Sequence, residues 1–177
     1  MNKGLSNPRW DPAGLTLFGG YGQGVENLNY PSGIFIEPNS QIIYVADTGN
    51  HRIQKRYPNG TIVTAAGFDK SLSYPENVIA DENENIFVVD SGNHRVVYFE
   101  KDGKTGRTVA GNTSRGSALN ELNYPSRVIV TSQKDLIIVD TINQRIMQWT
   151  FPYNPTTHSG SIVAVSDQTH FNGIRLI

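Results

Sequence analysis

The stretch ADTGNHRIQKR at residues 46–56 is written twice more in the chain, as VDSGNHRVVYF at 89–99 and as VDTINQRIMQW at 139–149. Each copy follows a matching lead, LNYPSGIFI at 28–36, LSYPENVIA at 72–80 and LNYPSRVIV at 122–130, so Tyr-Pro recurs at 30, 74 and 124. Repetition on this scale decides the architecture before any element is assigned, because one such unit cannot bury its apolar surface and must stack on its neighbours. The spacings of roughly 44 and 50 residues lie in the range of propeller blades, and the longer interval takes its extra residues in a Gly/Ser/Asn-rich loop.

Within one period the pattern reads as short strands separated by turn chemistry, with no amphipathic helix. The runs IIYVAD (42–47), IFVVD (86–90) and LIIVD (136–140) are apolar at successive positions. That is the pattern of a strand buried on both faces, as when each small sheet lies between two others. An inner strand such as Ile34–Ile36 precedes each run, a third strand follows the Asn-x-Arg turn, and TIVTAAG, RTVAG or SIVAV supplies a fourth. Pro31, Pro75 and Pro125 stand where the inner strand begins, so their missing N–H removes no ladder bond. The expected fold is all-β, a propeller of four-stranded antiparallel blades with repeats at 28–67, 72–111 and 122–165. Residues 7–20 match the outer two strands of a further blade and 170–177 the inner strand of the next.

Together these motifs resemble the NHL-repeat family, in which a Pro-led inner strand, a strand ending in Asp and an Asn-His-Arg turn define each blade. Residues 47–53, 90–96 and 140–146 carry the signature, and the Gly-rich stretches at 19–24 and 111–116 accompany it. The third copy departs, with Ile142 for Gly and Gln144 for His. The resemblance implies a ring of six blades, of which three complete blades and partial ones form an open segment. It therefore implies association with remaining blades or with itself.

Turn chemistry assigns structural roles to Asp47, Asn50 and Arg52, to Asp90, Asn93 and Arg95, and to Asp140, Asn143 and Arg145. Each Asp ends a buried strand and is expected to accept N–H groups of the following turn. Each Asn, retained where Gly is lost, is expected at positive φ. Each Arg is expected to pair with the Asp or to bridge blades.

No catalytic constellation stands out. There is no nucleophile elbow, and the glycine loops lack the lysine and helix start of a phosphate loop. Residues 81–92 begin like a calcium loop with Asp81, Asn83 and Asn85, but Ile86 and Gly92 occupy the places that need Gly and Glu. Trp149 with Tyr153, and Trp10 with Phe18, read as blade packing. His51, His94, His158 and His170 do not form a matched metal set, so neither metal nor cofactor is expected. A formal net charge of -1 gives no global attraction to polyanions, and no stretch approaches a membrane helix in length. Lack of cysteine and of an apolar leader leans toward an intracellular setting, against which stand sequons at Asn59 and Asn112.

The expected function is a non-enzymatic scaffold, most simply for protein. RNA binding, which the resemblance allows through arginines such as Arg52, Arg95, Arg115 and Arg145, is the alternative of another class, and a lyase-like propeller is a third. The second and fourth strands of an antiparallel blade run the same way, so the turns and the interblade loops emerge at one end. That face collects Tyr21, His51, His94, Arg115, Asn143 and Gln144 as candidate binding residues. The loop at 151–160 lies at the other end as a second candidate contact.

Overall fold

The computed structural model describes residues 13–153 and 159–165. After a short parallel pair, β1 (Gly19–Tyr21) with β2 (Asn27–Leu28), the chain forms three antiparallel four-stranded meanders. The first sheet runs β3 (Pro31–Ile36), β4 (Ile43–Asp47), β5 (Arg52–Arg56) and β6 (Ile62–Ala66). The second is β7 (Pro75–Ala80), β8 (Ile86–Asp90), β9 (Arg95–Phe99) and β10 (Arg107–Ala110). The third is β11 (Pro125–Val130), β12 (Leu136–Asp140), β13 (Arg145–Trp149) and β14 (Ser161–Val165). Among the described residues there is no α-helix. Residues 7–12 and 170–177 lie outside the described residues, and Gly19–Tyr21 pairs with the loop that leads into the first sheet.

The doubly apolar strands find their reason in the stacking of the sheets. On β8, Ile86 and Val88 pack with Tyr44, Ala46 and Ile53 of the first sheet, whereas Phe87 and Val89 pack with Val128, Ile138 and Met147 of the third. Alternate side chains thus serve two cores, and every residue of the strand is buried. Trp149 and Tyr153 belong to the second core. The inner strands of the first two sheets approach so closely that a Cβ on Gly33 would lie 2.5 Å from the Glu76 carbonyl oxygen and 2.8 Å from Asn77 Cα.

Among the described residues no sheet precedes the first or follows the third, while Ile43 and Val45, paired with Ile36 and Ile34 on the leading face, are buried. Val78 and Val128 are 0% and 2% exposed, while Ile34, at the same position of the first sheet, is 64% exposed. On the opposite face of the last sheet Ile129 is 46% exposed. The three sheets therefore form an unclosed arc of propeller blades.

Candidate binding face

The second strand of each blade ends in a buried aspartate whose two oxygens are fully used. Asp47 Oδ1 accepts the Asn29 amide at 2.6 Å, and Oδ2 accepts Asn50 Nδ2 at 2.8 Å and Arg52 Nε at 2.7 Å. Asp90 repeats this with the Ser73 amide (2.7 Å), Asn93 (2.9 Å) and Arg95 (2.8 Å). Asp140 does so with the Asn123 amide (2.7 Å), Asn143 (2.8 Å) and Arg145 (2.7 Å). The expectation that the carboxylate binds amides of the following turn is thus corrected. Its amide donor lies 17 or 18 residues earlier, in the loop leading into the same blade.

The other donors of Asn and Arg reach that same loop. Asn50 Nδ2 donates to the Gly22 carbonyl at 2.8 Å, and the Arg52 guanidinium to the carbonyls of Gln23, Gly24 and Asn27 at 2.7–3.1 Å. Asn143 reaches Gly116, and Arg145 reaches Ser117, Ala118 and Glu121. In the middle blade Asn93 and Arg95 share the Ser71 carbonyl. Asp, Asn and Arg together clamp the incoming interblade loop to the blade, and the glycine-rich stretches supply its carbonyls. Charge-assisted bonds of this sort are about twice as strong as neutral ones.

Positive φ belongs to the residue after the asparagine. The backbone makes a 3₁₀ turn at Thr48–Asn50 and Ser91–Asn93, and the reversal falls on His51 (φ 56°), His94 (φ 55°) and Gln144 (φ 52°). Asn50, Asn93 and Asn143 keep right-handed geometry, which lets their amides reach the aspartate. They persist for that contact rather than for tolerance of left-handed backbone. Gly49 is required for space, since a Cβ would lie 2.8 Å from the Asn29 side chain. Ile142 occurs where the equivalent amide-to-carbonyl contact is longer, 3.1 Å against 2.8 Å.

The turn histidines point to the next blade. His51 Nδ1 accepts the Tyr74 amide at 3.0 Å, and His94 Nδ1 accepts the Tyr124 amide at 3.2 Å. Each ring also meets that tyrosine edge-on, with centroids 4.5 Å apart. Burial, then the Arg115 guanidinium, lowers the His94 pKa below the ordinary histidine value. The neutral ring is the form able to accept the amide. Tyr30, Tyr74 and Tyr124 hold φ of 46–47° and are exposed on this face. Sequence reading missed them as surface residues, although the recurring Tyr-Pro marked them.

Residues of the first turn and of the 67–73 loop lie together at one end of the sheets. A cleft of ≈ 600 Å³ between the first turn and the 67–73 loop is lined by Gln23, Asn50, His51, Arg52, Lys70 and Asn93, among others. His94 and Arg115 lie near each other, and Asn143 is bound beside them to Gly116. Tyr21, 83% exposed, and Gln144, also exposed, stand apart from that cleft. At the opposite end Tyr153 is buried with its hydroxyl donating to the Lys134 carbonyl, and residues 154–158 of the 151–160 loop lie outside the described residues. Asp81 binds Asn83 and Asn85 as a hairpin turn. Among the described residues no group of three or more His, Asp or Glu is placed to hold a metal, and His158 and His170 lie outside them.

Comparison with known proteins agrees with this architecture. Residues 28–55 match the family model described as NHL repeat, which takes in the inner strand, the second strand and the turn of the first blade. No curated protein matches the chain significantly. Among solved structures it is similar to a streptogramin B lyase at 17% identity and TM-score 0.58, over 78% of this chain and 41% of that one. Virginiamycin B lyase from Staphylococcus aureus gives 19% identity and TM-score 0.53, over 70% and 39%. A chain of a nidogen/laminin complex gives 17% and 0.59, over 76% and 48%. The chain spans less than half the length of each, and at such identities the likeness concerns the fold. The first blade thus carries a match to the NHL repeat, and the same clamp recurs in all three sheets of a chain with the β-propeller fold.

Proposed function

We propose that the chain is a non-enzymatic scaffold that binds protein through the face carrying its turns and interblade loops. The observation that supports this most is the commitment of the repeated polar residues. The Asp, Asn and Arg of each turn are consumed by internal bonds, and His51 and His94 by the next blade. Among the residues turned outward on this face are Tyr21, Tyr30, Tyr74 and Tyr124, together with Arg115. Tyrosine and arginine are the residue types enriched at protein interfaces, because they offer large contact area and hydrogen bonds at low entropic cost. Their carriers are turns fixed by charge-assisted bonds, a rigid platform of the kind on which recognition loops sit. A nidogen/laminin complex among the similar structures is consistent with propellers serving protein association.

The reading is tested with a photo-crosslinking residue placed at Tyr21 or Tyr124, and in parallel at Gln133 on the opposite end. Protein adducts are expected from the first two positions only. Those from position 124 are expected to disappear with Tyr21→Ala and Arg115→Ala combined, at unchanged melting temperature. Adducts of equal yield from Gln133, or adducts indifferent to the double substitution, overturn it.

A further inference from the structure

At the end of the sheets away from the turns, two interblade clefts share one plan but differ in charge. Between the first and second sheets, Lys55 is 3% exposed and donates to Glu84 Oε2 at 2.6 Å. The cation is met within the protein, and the cleft it lines measures only ≈ 120 Å³. Between the second and third sheets Tyr98 stands where Lys55 does in the first, since Lys55 pairs with Val63 and Tyr98 with Arg107. Lys134 stands where Glu84 does, each in the hairpin between the first two strands of its sheet, with φ of 68° and 65°. The exchange leaves Arg107 and Lys134 lining one cleft of ≈ 200 Å³. Among the described residues neither of them forms an ion pair. Asp81 lines the cleft too, but its carboxylate is occupied by Asn83 and Asn85.

Both cations rest on aromatic rings. Arg107 Cζ lies 5.1 Å from the Tyr98 ring centroid, and Lys134 Nζ 5.7 Å from that of Phe151. Tyr153 ties the two carriers together, because its carbonyl accepts Arg107 Nη1 at 3.5 Å and its hydroxyl donates to the Lys134 carbonyl. We infer that this cleft binds a small aromatic carboxylate, its oxygens on Arg107 and Lys134 and its ring against Phe151 and Tyr153. Two cations against one committed carboxylate leave a positive surplus, and a cleft with low-dielectric walls focuses that potential on a counter-ion. A planar guanidinium matches the two oxygens of a carboxylate, which a lysine alone does not. Phe151, 53% exposed, offers ring surface for the body of the ligand. Pockets for drug-sized ligands measure about 300–1,000 Å³, so this smaller one takes a single ring. The site lies at the other end of the sheets from the face proposed for protein, and neither reading depends on the other.

The test is a titration of phenylacetate into the isotope-labelled chain, followed by NMR, with acetate supplying the charge alone and 2-phenylethanol the ring alone. Saturable shifts are expected at the amides of Tyr98, Lys134 and Phe151, with acetate and 2-phenylethanol each weaker by about tenfold or more. Arg107→Gln and Lys134→Gln are each expected to weaken phenylacetate by about tenfold, the loss of one charged hydrogen-bond donor. Lys104→Gln, on the cleft between the first two sheets, is expected to leave it unchanged. Arg107, Lys134 and Lys104 are all exposed, so unchanged spectra away from the site check that the variants fold. Absence of saturable shifts at those three amides overturns the inference. So does acetate binding as well as phenylacetate, or binding indifferent to Arg107→Gln or to Lys134→Gln.

Discussion

Asp90→Asn separates the clamp from mere space-filling, because the two side chains have nearly the same shape. Asp90 is fully buried and accepts three bonds, from the Ser73 amide, Asn93 Nδ2 and Arg95 Nε. An asparagine can present one oxygen. If that oxygen faces Ser73, its NH₂ confronts two donors; if flipped, it confronts the Ser73 amide and leaves Arg95 without a counter-charge. Removing one member of a buried ion pair costs about 3–5 kcal/mol. The Arg95 side chain is 20% exposed, so water recovers part of its solvation and the lower end, about 3 kcal/mol, applies. For a chain of this size that corresponds to a fall in melting temperature of roughly 6–12 °C. Thermal unfolding by circular dichroism at fixed protein concentration measures it, with Asp102→Asn on an exposed turn as control, expected within about 0.5 kcal/mol of wild type. If Asp90→Asn melts within a degree of wild type, the carboxylate is not the anchor described here.

Three further outcomes are expected. His94 has a folded pKa below its ordinary value, from burial and then Arg115, so the unfolded chain binds the proton more readily. Stability is therefore full above about pH 6.5 and falls as pH drops from there toward the lower folded pKa. His94→Gln, the residue that position 144 already carries, is expected to flatten that part of the urea-stability profile between pH 7 and 5, and an unchanged slope would contradict the latch. Gly33→Ala forces a Cβ to 2.5 Å from the Glu76 carbonyl oxygen and is expected to cost about 1–3 kcal/mol by overpacking two inner strands. Gly20→Ala, with nothing within 4 Å of its Cβ, is expected to be near neutral in the same denaturation assay.

The repeat made the fold legible, since three in-register copies announce stacked units and the doubly apolar strands announce sheets covered on both faces. Turn chemistry located the recurring triad of each copy within the chain but not its partners. The donor to Asp90 and the acceptors of Arg145 lie 17 to 28 residues away in sequence, and no local pattern signals a contact across a loop. The asparagines were misassigned for the same reason. Their persistence has two physical explanations, positive φ and a side-chain bond, and only coordinates distinguish them. The replacement of His51 and His94 by Gln144 looked like a broken set, whereas at the first two positions the ring accepts an amide, a task that a glutamine oxygen can also perform. The face itself followed from strand direction alone.

The central claim is that each buried aspartate holds the incoming interblade loop. Amide hydrogen exchange reads it directly, because Ser73 and Asn123 lie outside the strand ladders and donate their N–H to Asp90 and Asp140 at 2.7 Å. These two amides are expected to exchange as slowly as Val88 and Val97 in the core of the middle sheet, while Leu119 and Asn120 in the same loop as Asn123 exchange fast. Exchange at Ser73 and Asn123 as rapid as at Leu119 would contradict the account, since the loops would then open without the blades unfolding.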